Sequence, residues 1–179
     1  MKLLETSKGT RLVMLPRDEP LTSGFDAISC VWIWDIPSET PEPNQEVSIN
    51  VLESWDDDYP FKEVQKRSWG FYIPPRHGDH IILLATLGKR PVGVAYLNRK
   101  NFNLDFGVHV IKDLWRRRIG TRLIREALML AEQLGARYLT VVRWLRKPGS
   151  ASDRRAVAFY EACNPAWTFF VYRLQSKLR

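Results

Sequence analysis

The sequence is poor in cysteine, with only Cys30 and Cys163 among 179 residues. A disulfide-held secreted scaffold needs more, so two reduced thiols in a cytoplasmic protein are the expectation. Long apolar runs are also lacking, and none approaches the roughly 20 residues of a membrane-spanning helix. The segment MKLLETSKGT has no apolar stretch of the kind a secretory leader carries. Three phosphate and nucleophile signatures are missing as well: the Walker loop, the Gly-x-Ser-x-Gly elbow and the dinucleotide Gly-x-Gly-x-x-Gly. Their absence argues against P-loop nucleotide hydrolysis, α/β-hydrolase chemistry and Rossmann-type redox chemistry. Internal repeats and low-complexity tracts are absent. Histidine is scarce: the cluster His77-Gly78-Asp79-His80 lacks a further ligand at a recognisable spacing and reads as a solvated loop, so no metal is expected.

What the sequence does have is an excess of positive charge, +7 with a pI near 9.6. Such an excess attracts nucleic acid, acidic membranes or phosphorylated small molecules. Hydrophobic residues at 45% and charged residues at 26% are ordinary for a globular chain. A chain of this length forms one domain that buries roughly 70% of its unfolded surface. Seven tryptophans exceed what one such core holds, which hints at a ligand-lining role for some.

The first seventy residues are weakly patterned. Arg11 to Leu15 reads as a strand, Ile28 to Ile36 as an ambiguous apolar segment, and Ile36 to Ser48, with Pro37, Pro41 and Pro43, as an exposed loop. A short helix is expected over Phe61 to Ser68. From His80 the pattern sharpens into a hairpin, with strands at His80 to Leu87 and Val92 to Leu97 around Gly88-Lys89-Arg90-Pro91. Leu104 to Ile111 reads as a third strand. Ile119 to Leu134 is an amphipathic helix with Ile119, Leu123, Ala127, Ala131 and Leu134 on one face and Gly135 at its C-terminal cap. Tyr138 to Trp144 follows as a strand, so strand, helix and strand form a βαβ unit with parallel strands. Asp153 to Ala162 is a second helix with Asp153 in capping position, and Ala166 to Gln175 is a final strand. The fold class is mixed α/β.

The passage Val110 to Leu123, VIKDLWRRRIGTRL, joins a strand to a helix start. Orphan N–H groups and the positive helix end make such a junction a phosphate site. Gly120 permits close backbone approach, and Arg116, Arg117 and Arg118 can pair with phosphate oxygens or simply solvate the helix end.

This passage resembles the acetyl-CoA-binding motif of the GNAT superfamily of N-acetyltransferases. In that motif a strand ends in valine, and Gln/Arg-x-x-Gly-x-Gly/Ala then opens a long helix. Val110 matches the valine, Trp115 stands at the Gln/Arg position, Arg118 at the first glycine and Gly120 at the second. Asp153-Arg154-Arg155-Ala156-Val157-Ala158-Phe159-Tyr160 is similar to the family's Asn-x-x-Ala-x-x-Phe-Tyr segment, with Asp replacing Asn. The Gly-Phe that usually follows is absent, and Asn164-Pro165 stands nearby. The likeness covers roughly Asp79 to Leu174.

The resemblance implies a mostly antiparallel central sheet with two splayed parallel strands, flanked by helices. It also implies one acyltransferase domain over residues 1–179, with an acetyl-CoA-binding core at 79–175 and an acceptor side at 1–75. The pantetheine arm of acetyl-CoA would pair with Val108, His109 and Val110. The pyrophosphate would sit on Arg116, Arg117, Arg118, Ile119, Gly120, Thr121 and Arg122, with Asp153 and Tyr160 also beside the cosubstrate. Tyr160 would serve the departing thiolate. An attacking amine must be neutral, and a lysine-like amine is neutral in only about one molecule in a few thousand at pH 7, so a base matters. Where well-known members carry a glutamate, six positions before the valine, this chain has Leu104. Asp105, turned inward by a bulge, or His109 would act through water instead; each also fits a structural or solvent-facing place.

Two other readings stand beside transfer of acetyl to an amine acceptor. Arg116 to Arg118, Arg143, Arg146 and Lys147, with scattered Trp and Tyr, would suit a nucleic-acid-binding module or a nucleic-acid-bound acceptor. The missing glutamate would suit a CoA binder without turnover. A homodimer is compatible with any of these.

Overall fold

The computed structural model describes residues 2–5, 11–16, 25–145 and 150–174; Arg146, Lys147 and Gln175 lie outside them. The described elements, in order, are β1 (Lys2–Glu5), β2 (Arg11–Pro16), β3 (Phe25–Asp35), β4 (Ser48–Leu52), α1 (Tyr59–Ser68), β5 (His80–Leu87), β6 (Arg90–Asn98) and β7 (Leu104–Val110). A short 3-10 turn (Lys112–Leu114) leads into α2 (Ile119–Gln133), β8 (Tyr138–Trp144), α3 (Ala151–Ala162) and β9 (Trp167–Leu174).

The strands form two antiparallel sheets, ordered β4-β5-β6-β7 and β1-β2-β9-β3-β8. β7 and β8 lie side by side and run parallel. They touch at an isolated bridge between Asn103 and Thr140, where the Thr140 N–H donates to Phe102 O at 3.1 Å. Past that point the two sheets diverge. The expected architecture, mostly antiparallel with two splayed parallel strands, is the one observed.

Helices cover both faces of the four-stranded sheet. α1 packs against β6 and β7 through Phe61 and Val64, and α2 lies on the opposite side with Ile119, Leu123, Ile124, Ala127, Leu128 and Ala131 buried. Gly93 sits under α2; a Cβ there would come within 3.0 Å of Leu123 Cδ1. Burial on both faces explains why β5 reads as an unbroken apolar run rather than an alternation. α2 ends in a Schellman arrangement, with Gly135 N–H on Glu132 O (2.9 Å), Ala136 N–H on Ala131 O (2.9 Å) and Gly135 at φ 79°. In β3, Trp32 and Trp34 face inward and are fully buried.

Several expectations needed correction. Leu134 is 46% exposed, because the helix has already ended at Gln133 and the cap turns the chain outward. The α3 cap is Ser150, whose hydroxyl accepts from Asp153 N–H (3.2 Å); Asp153 stands a turn inside. His80 is not in a solvated loop: it opens β5 and is fully buried. β4 went unread because it is a five-residue edge strand that buries little and leaves Val51 exposed. The ambiguous apolar segment proves to be β3, inserted between β8 and β9.

Among the described residues no helix is long and apolar enough to cross a membrane.

Candidate active site

The divergence of β7 from β8 opens a cleft of about 530 Å³ between the C-terminal end of α1, the N-terminal end of α2 and the length of α3. β7 sets its geometry. Val110 pairs with Gly93 and Val108 with Ala95; the register then slips, and Tyr96 opposes Asp105. The two extra residues, Phe106 (φ 65°) and Gly107 (φ 76°), form a left-handed bulge. Glycine is required at 107, since a Cβ there would strike the Tyr160 hydroxyl.

Ile111 N–H bonds Val92 O at 3.0 Å, so the main-chain groups of Ile111 and His109 point to β6, and those of Val108 and Val110 point into the cleft. The Tyr160 hydroxyl accepts from Val108 N–H at 2.9 Å, and Trp115 Nε1–H donates to Val110 O at 2.7 Å. Val108 O and Val110 N–H have no partner among the described residues. They offer one acceptor and one donor to an amide chain laid between the strands.

Tyr160 is 5% exposed, its ring 4.5 Å from that of Trp32. Burial pushes its hydroxyl up to about 12, although the Val108 N–H favours the anion. The hydroxyl therefore stays protonated at neutral pH. A backbone N–H can only donate, so the tyrosine oxygen accepts and its own proton remains available to the cleft.

At the cleft's other end the chain turns through Trp115 to Arg118 into α2. Arg116 (φ 66°) and Arg118 (φ 57°) both adopt the left-handed conformation. Arginine thus stands where glycine would be easier, at about 1 kcal/mol or more of strain. Asn44, from the proline-rich loop, holds it there. Its N–H bonds Arg118 O (3.1 Å), its Nδ2 donates to Arg117 O (2.8 Å), and its Oδ1 accepts from Glu46 and Val47 N–H. With those carbonyls turned away, the N–H groups of Arg116 to Thr121 have no acceptor among the described residues; the first helical bond is Arg122 N–H to Arg118 O (3.1 Å). This is a row of donors at a positive helix end, fit for a diphosphate. Arg116, Ile119 and Gly120 line the cleft, whereas Arg117 and Arg118 do not. Arg118 reaches Glu42 O (3.3 Å), Thr121 bonds the Cys163 thiol and Arg122 pairs with Glu126 (2.9 Å). Gly120 also meets a second demand: a Cβ would lie 2.7 Å from the Phe159 ring.

The two candidate bases share a sheet face, as their registers with Val94 and Tyr96 require, but have different surroundings. Burial alone would raise the Asp105 carboxyl. Bonds from His80 Nε2 (2.8 Å), Asn103 Nδ2 (2.8 Å) and Asn98 Nδ2 (3.0 Å) outweigh it and hold the group at about 2. His80 Nδ1 accepts from Arg76 N–H (2.8 Å), so its proton sits on Nε2 and points at Asp105. Asp105 is not a wall of the cleft. His109 is one, 7% exposed, and burial lowers it to about 4. Its Nε2 lies 2.7 Å from Phe106 O; a carbonyl only accepts, so Nε2 carries the proton and Nδ1 presents a lone pair.

Asp153 is buried and set back from the cleft, with Oδ1 held by Arg143 Nε (3.1 Å) and Nη2 (3.0 Å). Arg143, read from sequence as surface charge, instead turns inward and lines the cleft with Ser152 and Phe159. Sequence reasoning also missed Trp69, whose ring lies 4.2 Å from that of His109, and Arg155, stacked 5.4 Å over Trp115. The surplus of tryptophan was the available signal. Among the described residues no cluster of His, Cys, Asp and Glu is placed to hold a metal.

Residues 47–164, about two-thirds of the chain, match the model of the Acetyltransferase (GNAT) family, and the chain belongs to that family. Its members carry out acyl transfer and in general use acetyl-CoA. Among solved structures, a conserved protein of unknown function from Staphylococcus epidermidis superposes with a TM-score of 0.54 at 12% identity, over 92% of this chain and 72% of that one. A GCN5-related N-acetyltransferase from Sphaerobacter thermophilus gives 0.51 at 12% identity (86% and 54%). Another from Kribbella flavida gives 0.51 at 15% (86% and 61%). At such identities the likeness is one of fold, and the chain spans only 54% and 61% of the last two. No curated protein sequence matched.

Proposed function

We propose that the protein transfers an acetyl group from acetyl-CoA to an amine by direct attack in a ternary complex, with residues 79–175 holding the cosubstrate and 1–75 shaping the acceptor side. The observation that carries this reading is the Tyr160 hydroxyl, protonated and 2.9 Å from Val108 N–H at the point where β7 and β8 part. Val108 O and Val110 N–H pair with the amides of the pantetheine arm, and the N–H groups of Arg116 to Thr121, with the Arg116 side chain, receive the pyrophosphate. Asp153 acts one step back, orienting Arg143. The amine nitrogen bonds to the thioester carbon, the carbon–sulfur bond breaks, and Tyr160 donates to the departing thiolate. Of the two candidate bases His109 fits better: it lines the cleft, and its Nδ1 keeps a lone pair that can take the proton the nitrogen must lose. Asp105 serves to brace the bulge.

The test is an amine screen read by release of free CoA, alongside calorimetric titration with acetyl-CoA. Micromolar binding with amine-dependent release is the expected result. Binding with no release from any amine would leave a CoA binder without turnover, and salt-steep binding to oligonucleotides without acetyl-CoA binding would point to a nucleic-acid module.

A further inference from the structure

The acceptor end of the cleft has a distinctive wall. Trp69 follows α1 directly, and its Nε1–H donates to Phe71 O at 2.7 Å, which fixes the indole plane. One face of that indole meets the His109 ring at 4.2 Å, and the Phe71 ring stands edge-on at 6.1 Å. Phe106, lifted by the bulge, is 40% exposed and also lines the cleft, whereas Phe71, 55% exposed, touches Trp69 from outside the cleft wall. His109 is neutral because burial holds it near 4. The charged residues in the cleft wall, Lys112, Arg116, Arg143 and Arg155, are all cationic, and among the described residues no aspartate or glutamate belongs to that wall.

A site that selects a polyamine or an aminosugar needs carboxylates for the ammonium groups that do not react, since an unpaired charge against apolar surface is unfavourable. A site lined by preset aromatic rings favours a flat or bulky apolar group, whose burial needs no counter-charge. Resting on the acetyl-transfer reading above, we infer that the acceptor is a primary amine carried on an aromatic or comparably bulky apolar group with no second cation, and that Trp69 is the residue that selects it. The reactive nitrogen reaches toward His109 Nδ1 while the apolar body lies against Trp69 and Phe106.

The experiment compares phenethylamine and tryptamine with spermidine and kanamycin on the intact chain, by free-CoA release at saturating acetyl-CoA, and repeats the aryl amines on Trp69→Ala. A kcat/KM at least tenfold higher for the aryl amines, and a tenfold or greater rise of their KM in Trp69→Ala with the acetyl-CoA KM held, is the expected result. Spermidine or kanamycin turned over as well as the aryl amines would overturn the inference while leaving acetyl transfer intact. So would acetyl-CoA binding with no release from the aryl amines, or an aryl-amine KM indifferent to Trp69. Loss of the acetyl-CoA titration itself would instead strike the reading beneath it. If Trp69→Ala does not fold, the comparison of the four amines on the unaltered chain decides alone.

Discussion

Removing one oxygen, in Tyr160→Phe, separates the structural job of that hydroxyl from the catalytic one we propose for it. In the free protein that oxygen accepts the Val108 N–H at 2.9 Å, and the residue is 5% exposed. Phenylalanine keeps the packing against Trp32 but leaves a buried donor unpaired, which costs about 1–3 kcal/mol. For a chain of this size each kcal/mol corresponds to about 2–4 °C in Tm, so a fall of several degrees is expected by calorimetry. The catalytic loss is separate. A positioned proton donor contributes roughly 10²- to 10⁴-fold, so kcat should drop by that factor, while the acetyl-CoA Kd, which we assign to β7 and the Arg116 to Thr121 turn, should move by less than about tenfold, or 1.4 kcal/mol. Because burial holds the hydroxyl near 12, the unaltered enzyme should show no loss of this donor up to about pH 10. A Tyr160→Phe enzyme that melts several degrees lower yet keeps kcat within about threefold, a difference near 0.6 kcal/mol, would refute the donor role and leave only the structural one.

Acid titration offers further checks. His109 is lowered by burial to about 4 when folded and takes a proton near 6.5 when unfolded, so the unfolded chain binds more protons in between and stability falls as pH drops from 6.5 to 4. The fall is on the order of 3 kcal/mol, and urea melts of His109→Asn should lack it. Asp105 is held at about 2, so its stabilisation is present above pH 4 and lost as pH falls toward 2. Asp105→Asn should flatten that limb and lower stability at pH 7 by about 1–3 kcal/mol, without moving the pH profile of kcat/KM; a moved profile would return the base role to Asp105. Asn44→Ala frees the Arg117 carbonyl and the Glu46 and Val47 N–H groups while keeping the main-chain bond to Arg118 O, and should raise the acetyl-CoA KM several-fold with the amine KM unchanged. Gly120→Val should raise the acetyl-CoA KM and also lower Tm, because its side chain meets the Phe159 ring; Phe159→Leu in the same chain should restore part of the Tm.

The hairpin, the βαβ unit and the helix start at Ile119 were legible in the order of residues because each is a local matter: apolar period, turn chemistry and a glycine cap. Tyr160 was legible through a short motif on a single helix. Other features depend on segments distant in sequence. Asn44 pins Arg118 from seventy-four positions away, the acid of the Arg143–Asp153 pair comes from a different element, and Trp69 meets His109 only because α1 packs on β7. Nothing local in Asp105 or His109 says which is saturated with donors and which keeps a lone pair. His80 and the asparagines decide that, brought in by the sheet register. Local pattern determined the elements from His80 onward and the turn into α2; the packing of β7 against α1, and its parting from β8, decided which side chains share the cleft and in what protonation state.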